Sequence, residues 1–185
     1  LPNKVEKFKS LELKNLDFRY DNINIIDNLS LNILKGDCVG IVGESGSGKS
    51  VTAKSIMQLN PGNTTYNDDA EIIIDKENVL KFSSKNDLKK IRGGKVSMIF
   101  QEPMASFAPA IKIGHQMVEQ LLLHKSLNKK EAKSISIDML NRVGIADAEK
   151  RFNQYAFELS GGMRQRAMIA MALSTMPKLL LADEP

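Results

Sequence analysis

The most informative stretch of this sequence reads Gly43-Glu44-Ser45-Gly46-Ser47-Gly48-Lys49-Ser50. It has the pattern of a phosphate-binding loop, in which glycines let the backbone wrap closely so that N–H groups converge on phosphate oxygens. A helical pattern follows at residues 50–59, and a helix there would present its positive N-terminal end to the same anion. Lys49 would neutralise the β- and γ-phosphates of a nucleotide, and the Ser50 hydroxyl can ligate Mg²⁺. We therefore predict a nucleotide site at residues 43–50 and the adjoining Val51.

Two short apolar runs have the composition of strands buried inside a parallel sheet. The run at residues 38–42 lies directly before the loop, and we expect its Cys38 to be a small buried hydrophobe. The run at residues 179–182 ends in two adjacent carboxylates, Asp183 and Glu184. Such a pair can divide the work of hydrolysis: Asp183 would hold Mg²⁺ through water, and Glu184 would polarise the attacking water.

The remaining patterns predict an α/β core with a helical insertion. Apolar residues mostly alternate with polar ones over residues 11–33, which predicts two or three antiparallel strands joined near Asp21-Asn22. Asn128 with Glu131 predicts a capped helix whose apolar stripe is Ala132, Ile135, Met139 and Val143. We expect further strands at residues 71–75 and 96–100, and helices at residues 50–59, 84–91, 111–123 and 163–174.

Composition excludes several classes of protein. With 42% hydrophobic and 26% charged residues, the chain is not an intrinsically disordered one. No apolar run approaches the roughly 20 residues that span a bilayer. The single cysteine excludes an internal disulfide and a cysteine-cluster zinc site, and favours a reducing, cytoplasmic setting. A net charge of +4 permits contact with nucleic acid without demanding it, and no basic-aromatic pattern of RNA binding is present.

A second stretch suited to binding an anion lies far from the first along the sequence. Ser160, Gly161 and Gly162 precede a helical pattern, which makes another helix N-terminus suited to phosphate. The surrounding residues 159–166 resemble the signature motif of ABC transporter ATPases. Residues 43–50 then resemble the Walker A motif of that family and residues 179–184 its Walker B motif, and all three occur in the family's order.

The resemblance implies roles for individual residues. Gln101 matches the family's Q-loop glutamine, and it would act with Glu184 in catalysis and with Ser50 and Asp183 in binding Mg²⁺. Tyr20 stands where the family has an aromatic residue that stacks on adenine, with Phe18 as the rival. The family works as a head-to-tail pair, so the signature residues would close over ATP bound to the partner; these are Ser160, Gly161, Gly162 and Gln165.

The resemblance also implies an architecture. We expect a P-loop NTPase (RecA-like) core with an N-terminal antiparallel β-subdomain and an inserted α-helical subdomain. The β-subdomain would cover residues 1–36, the core residues 37–102 and 175–185, and the helical subdomain about residues 103–174.

Residues 99–106, 160–173 and 177–185 are similar to a narrower group, the dipeptide and oligopeptide importer ATPases, which also includes nickel importers. This implies an ATPase subunit at the cytoplasmic face of the plasma membrane. Its partners would be an identical or paralogous ATPase, transmembrane permease subunits and, indirectly, an extracytoplasmic solute-binding protein, with no nucleic acid.

Two departures from the group qualify this interpretation. Ala108 replaces the usual asparagine before proline, and the family's D-loop and switch histidine would follow Pro185, so we expect a C-terminally incomplete domain. His115 and His124 lie in the helical block, where we expect them on helix surfaces. Three alternatives stay open: a soluble ABC ATPase that acts on nucleic acid, an exporter ATPase, and a fragment that only binds nucleotide.

Overall fold

The computed structural model describes residues 9–184, which fall into two compact units that divide between Leu88 and Lys89. The strands are β1 Lys9–Tyr20, β2 Ile23–Leu34, β3 Thr64–Tyr66, β4 Glu71–Ile74, β5 Glu77–Asn78, β6 Val96–Ile99 and β7 Leu179–Ala182. The α-helices are α1 Lys49–Ile56, α2 Lys85–Ile91, α3 Ile113–His124, α4 Lys129–Arg142, α5 Ala148–Phe152 and α6 Gly161–Ser174. Short 3₁₀ helices cover Val79–Lys81, Pro103–Ser106 and Ala156–Glu158.

The first unit contains an antiparallel sheet in the order β2-β1-β4-β5, with β3 also paired to β1. The β1–β2 hairpin turns at Asp21 and Asn22, whose φ angles of 46° and 67° are those of the tight turns that suit the right-handed twist of a hairpin. Alternate residues of β1, among them Leu11 and Leu13, are buried, which confirms the predicted alternation. The antiparallel strands and their turn are therefore as the sequence predicts.

The second unit places two strand ends side by side. Strands β6 and β7 pair in parallel, from Val96 opposite Leu179 to Ile99 opposite Ala182, and the Asp183 N–H continues the ladder to the Ile99 carbonyl at 3.0 Å. Both predicted strands are confirmed, but the expected burial of residues 179–182 is wrong, because Leu180 and Ala182 are exposed and only Leu179 is buried. Since parallel strands run in the same direction, the residues that follow both strands emerge at one edge.

The helices of the second unit share one apolar core. Helices α3, α4 and α6 supply most of it, and α5 adds Phe152. The predicted capping box of α4 is present: the Asn128 side chain accepts from the Glu131 N–H, and the Glu131 carboxylate accepts from the Asn128 N–H. The core includes Ile113, Met117, Leu140, Ile145, Phe152, Leu159, Ala167 and Met168.

The predicted apolar stripe of α4 is partly wrong. Its fully buried residues are Ala132, Ser136 and Leu140, whereas Ile135 and Met139 are only half-buried. The Ser136 hydroxyl donates to the Ala132 carbonyl at 2.7 Å, so its polar group is satisfied within the helix and can be buried. A prediction from apolar residues alone therefore misses a buried polar residue such as Ser136.

The predicted strand at residues 38–42 is also wrong. The segment forms no strand in the described part of the chain, Val42 is 96% exposed, and Cys38 is exposed instead of buried. The apolar run measures hydrophobicity, but a strand exists only through hydrogen bonds to a neighbour that the local sequence does not contain. The expectation that Cys38 is a buried hydrophobe depended on that strand and is therefore wrong as well.

Close packing of α3 against α5 predicts an effect on stability. A Cβ added at Gly114 would overlap the Phe152 ring, so Gly114→Ala should lower the free energy of unfolding by about 1–3 kcal/mol, the usual cost of overpacking. Thermal melting measures the loss. Gly62→Ala is the matched control, because nothing lies within 4 Å of a Cβ there. The double variant Gly114→Ala/Phe152→Leu should recover stability, and a loss that persists in it would contradict the packing explanation.

Candidate functional site

The loop before α1 has the backbone that a phosphate cradle requires. Gly48 is the N-cap of α1 with φ of 89°, and no side chain caps the helix there. A Cβ at Gly48 would lie 3.2 Å from the Ile25 carbonyl oxygen, so both the left-handed backbone and the close approach favour glycine. A helix start without a side-chain cap is the kind of N-terminus that binds anions.

The Lys49 side chain folds back into this loop. Its ammonium donates hydrogen bonds to the carbonyl oxygens of Gly43 and Glu44, each at 2.8 Å. These contacts hold the positive charge inside the curve of the backbone that the loop glycines make. Phosphate oxygens are stronger acceptors for an ammonium than carbonyl oxygens are, so the arrangement is suited to binding an anion.

A carboxylate and an amide meet beyond the parallel pair of strands. Gln101 follows β6 by two residues, Glu184 follows β7 by two, and the Gln101 Nε2 donates to the Glu184 Oε2 at 2.8 Å. Glu184 has a φ of 47°, which is uncommon for a residue with a side chain. Both side chains are exposed, so water can reach the carboxylate.

Oxygen donors suitable for Mg²⁺ are present, but they form no closed metal cage. Within residues 9–184 no cluster of three His, Cys, Asp or Glu side chains could hold an ion. The donors proposed from the sequence are Ser50 in the first turn of α1, Gln101 after β6 and Asp183 after β7. Each of these side chains carries an oxygen of the kind that Mg²⁺ prefers, and Mg²⁺ usually completes its shell with phosphates and water.

The predicted signature residues form the start of α6. Ser160 is the N-cap, and its hydroxyl accepts from the Met163 N–H at 3.4 Å. Gly161 and Gly162 are exposed, and a Cβ at Gly161 would meet nothing within 4 Å. Gln165 is half-buried one turn further along. This helix start therefore offers open backbone with space for a ligand.

One residue at this helix start is missed by reasoning from sequence. The Arg164 Nε donates to the Ala156 carbonyl at 2.9 Å, and its Nη2 donates to the Phe157 carbonyl at 3.3 Å. The receiving 3₁₀ turn is closed by Glu158, whose carboxylate accepts from the Tyr155 N–H at 2.7 Å. Tyr155 is not one of the short polar residues that normally cap a helix, so no pattern in the sequence marks this turn.

The two aromatic candidates for base stacking differ in exposure. Phe18 is 2% exposed and packs edge-to-face on Tyr66, with ring centroids 5.5 Å apart. Tyr20 is 41% exposed at the end of β1. Of the two rings, only that of Tyr20 is presented to solvent.

The two histidines have different surroundings. His115 is exposed, as expected, but His124 is half-buried and its ring packs against Gly93 and Gly94. Burial lowers the pKa of His124, and the charge of Lys125 lowers it further. The expectation that His124 lies on a helix surface is therefore wrong.

No helix in the described residues is long and apolar enough to cross a membrane.

A comparison with family profiles gives one match over most of the chain. The family described as ABC transporter matches residues 26–185. This range contains the Lys49 loop, the Gln101–Glu184 pair and the start of α6.

Curated relatives cover nearly all of the chain. It is 46% identical over 179 residues to the oligopeptide transport ATP-binding protein AppD of Bacillus subtilis, covering 95% of this chain and 54% of that protein. It is 44% identical over 182 residues to the dipeptide transport ATP-binding protein DppD of Lactococcus lactis, covering 96% of this chain and 52% of that protein. The chain thus spans about half the length of these relatives.

Solved structures share the fold. The dimeric post-hydrolysis structure of the ATP-binding cassette MJ0796 bound to ADP and Pi matches with a TM-score of 0.80 at 27% identity, covering 94% of this chain and 73% of that one. A second dimeric structure of MJ0796, described as a bacterial ABC transporter cassette, also has a TM-score of 0.80, at 28% identity and the same coverage. These likenesses confirm the fold class that the sequence predicts.

Proposed function

The chain belongs to the ABC transporter family, and from this we propose that it is the nucleotide-binding part of an ATPase subunit that powers the uptake of dipeptides or oligopeptides. The observation that carries the ATPase function is the Lys49 ammonium held inside the loop at residues 43–50. The class of solute is inferred from two peptide-transport relatives that are 46% and 44% identical to this chain and cover 95% and 96% of it.

ATP binds through its phosphates in this proposal. The Lys49 ammonium exchanges the Gly43 and Glu44 carbonyl oxygens for β- and γ-phosphate oxygens, and the N–H groups at the start of α1 donate to the same phosphates. Loop residues 43–50 and Val51 form the site, and the exposed ring of Tyr20 stacks on adenine.

Ser50, Gln101 and Asp183 hold Mg²⁺ in this proposal, all through oxygen atoms. When bound, the ion neutralises the charge that develops on the phosphates. The protein's own contribution is to supply these oxygens in the first turn of α1 and directly after β6 and β7.

Hydrolysis depends on the Gln101–Glu184 pair. The Glu184 carboxylate accepts a proton from the attacking water, and the amide of Gln101 orients that carboxylate through the 2.8 Å hydrogen bond. Nothing in the site forms a covalent bond to phosphate. Rate acceleration comes from placing the water and from stabilising charge.

A head-to-tail pair of ATPase subunits completes the site. ATP bound to one subunit is covered by Ser160, Gly161, Gly162 and Gln165 of the other, whose exposed helix start offers N–H groups to the γ-phosphate. Two copies related by a twofold axis make two such sites. The partner is a second ABC ATPase, identical or paralogous.

The remaining parts of the proposal concern the assembly. Transmembrane permease subunits and, indirectly, an extracytoplasmic solute-binding protein act with the ATPase at the cytoplasmic face of the membrane. The expected division assigns residues 1–36 to the antiparallel β part, residues 37–102 and 175–185 to the P-loop core and about residues 103–174 to the helical subdomain. Because β3, β4 and β5 join the antiparallel sheet, the β part in this proposal also includes residues 64–78.

ATP-dependent uptake tests the transport class. Cells lacking the intact subunit should fail to take up a labelled dipeptide or oligopeptide, and restoring the wild-type protein should restore uptake, whereas the Lys49→Ala protein should not. Labelled nickel is the comparison solute. Restoration of nickel uptake without peptide uptake would contradict the peptide assignment and leave the ATPase assignment intact.

A substitution in the signature motif distinguishes the roles of the two helix N-termini proposed to bind phosphate, those of α1 and α6. Gly161→Asp should abolish ATP-driven pairing and ATP turnover, since its carboxylate would face the partner's γ-phosphate, whereas ATP should still bind the isolated subunit through its own Lys49 loop. Calorimetry measures the binding, and gel filtration with ATP measures the pairing. Loss of ATP binding with pairing intact would reverse the two roles.

A further inference from the structure

We propose that Arg164 is a positioning residue for the partner-facing phosphate site, a role that none of the sequence motifs assigns to it. This inference rests on the proposed head-to-tail pairing. The observation behind it is that one side chain joins the beginning of α6 to the 3₁₀ turn that precedes Ser160.

The geometry gives Arg164 two connections to the same short segment. Its backbone N–H donates to the Ser160 carbonyl at 2.9 Å, which is the first hydrogen bond of the α6 ladder. Its guanidinium reaches back to the Ala156 carbonyl at 2.9 Å and the Phe157 carbonyl at 3.3 Å. Arg164 therefore holds both the Ser160 carbonyl and the turn that precedes Ser160.

The turn has little freedom left once Arg164 is in place. The Glu158 carboxylate closes it at the Tyr155 N–H, and the Tyr155 and Phe157 rings stack with centroids 5.4 Å apart and planes 6° from parallel. Buried Ala156 and Leu159 pin the backbone on either side. The exposed N–H groups at Gly161 and Gly162 thus begin from a fixed segment instead of a mobile loop.

The charge of Arg164 supports the same role. A cation in the first turns of a helix is placed unfavourably with respect to the helix dipole, which favours anions at that end. The Arg164 guanidinium offsets this by donating to two carbonyls, and its positive charge remains close to the helix start. Because the guanidinium is bonded to the 3₁₀ turn, Arg164 acts on an incoming γ-phosphate by fixing the open N–H groups of Gly161 and Gly162.

The test separates ATP binding from ATP-driven pairing. In the intact subunit carrying Glu184→Gln to prevent turnover, Arg164→Met should leave the ATP affinity of the isolated subunit within about twofold, because that affinity comes from the Lys49 loop. The ATP concentration that half-saturates pairing with the second ATPase subunit should rise about tenfold or more, from the loss of charge-assisted hydrogen bonds. Calorimetry gives the first quantity and analytical ultracentrifugation the second.

Matched variants distinguish positioning from general stability. Arg142→Met removes the same charge from an exposed ion pair with Asp138 and should leave pairing unchanged. Arg164→Lys keeps the charge but replaces the planar fork by one ammonium, so it should fold normally and show a smaller shift in pairing. If Arg164→Met does not fold, the pairing measurement on Arg164→Lys decides the test.

Two outcomes would overturn the proposal. The first is a lower melting temperature for Arg164→Met or Arg164→Lys with unchanged ATP-driven pairing, which would make Arg164 a purely structural residue. The second is unchanged pairing and unchanged melting. Gly161→Asp, measured alongside, distinguishes a failure of the proposed function: if Gly161→Asp also pairs normally, the head-to-tail arrangement itself is wrong.

Discussion

Replacing Glu184 by glutamine is expected to lower ATP hydrolysis by at least ~100-fold, the lower end of the range for a lost general base. The substitution keeps the shape of the side chain and the acceptor oxygen for the Gln101 amide, whose hydrogen bond to Glu184 is 2.8 Å long. It removes the negative charge that draws a proton from water. The measurement is steady-state phosphate release by the intact subunit with its partner ATPase.

The same Glu184→Gln variant should still bind ATP. It should accumulate as a pair in gel filtration with ATP, because the pair separates only after hydrolysis. Glu102→Gln is the matched control, because it removes one exposed carboxylate from the residue next to Gln101 and should retain activity. Normal hydrolysis by Glu184→Gln together with no ATP-dependent pairing would show that Glu184 is not the catalytic carboxylate.

Replacing Lys49 by alanine is expected to weaken ATP binding by roughly 100-fold, which corresponds to about 3 kcal/mol. The ammonium now held between the Gly43 and Glu44 carbonyls is the charge that would pair with the phosphates, and alanine leaves them without it. Calorimetric titration with ATP and with AMP measures the effect. The wild-type protein should prefer ATP strongly, and the variant should lose most of that preference.

Lys54→Ala is the matched control for Lys49→Ala. Lys54 lies in the last turn of α1, away from the helix end that receives phosphate, so its loss should change ATP affinity by less than about twofold. Unchanged ATP affinity in Lys49→Ala would refute the phosphate-loop assignment. Equal losses in both variants would point to net charge instead of the loop.

Much of the site could be predicted because its residues are local in sequence. A phosphate loop is built from eight consecutive residues, and the left-handed Gly48 and the folded-back Lys49 are properties of that loop and the helix after it. The N-cap of α6 at Ser160 is equally local. In such cases each hydrogen bond joins residues a few positions apart, so residue type and spacing are sufficient.

Other features could not be predicted because they depend on distant partners. The Gln101–Glu184 hydrogen bond joins residues 83 apart, and the sequence resemblance assigned each residue a role without indicating that they touch. The overlap expected for Gly114→Ala exists only because Phe152 lies against it. The Arg164 side chain donates to carbonyl groups seven and eight residues away, in a turn whose shape no motif describes.

The sequence by itself determined the family, the phosphate loop, the carboxylates after β7 and the positions of most helices and strands, since these follow from local spacing and periodicity. Only the tertiary structure decided that residues 38–42 form no strand, that Phe18 is buried while Tyr20 is exposed, and that Arg164 holds the segment before Ser160. The physical reason is that burial, strand pairing and side-chain reach are properties of neighbours in space. A pattern records what a residue prefers, whereas folding decides which partner satisfies it.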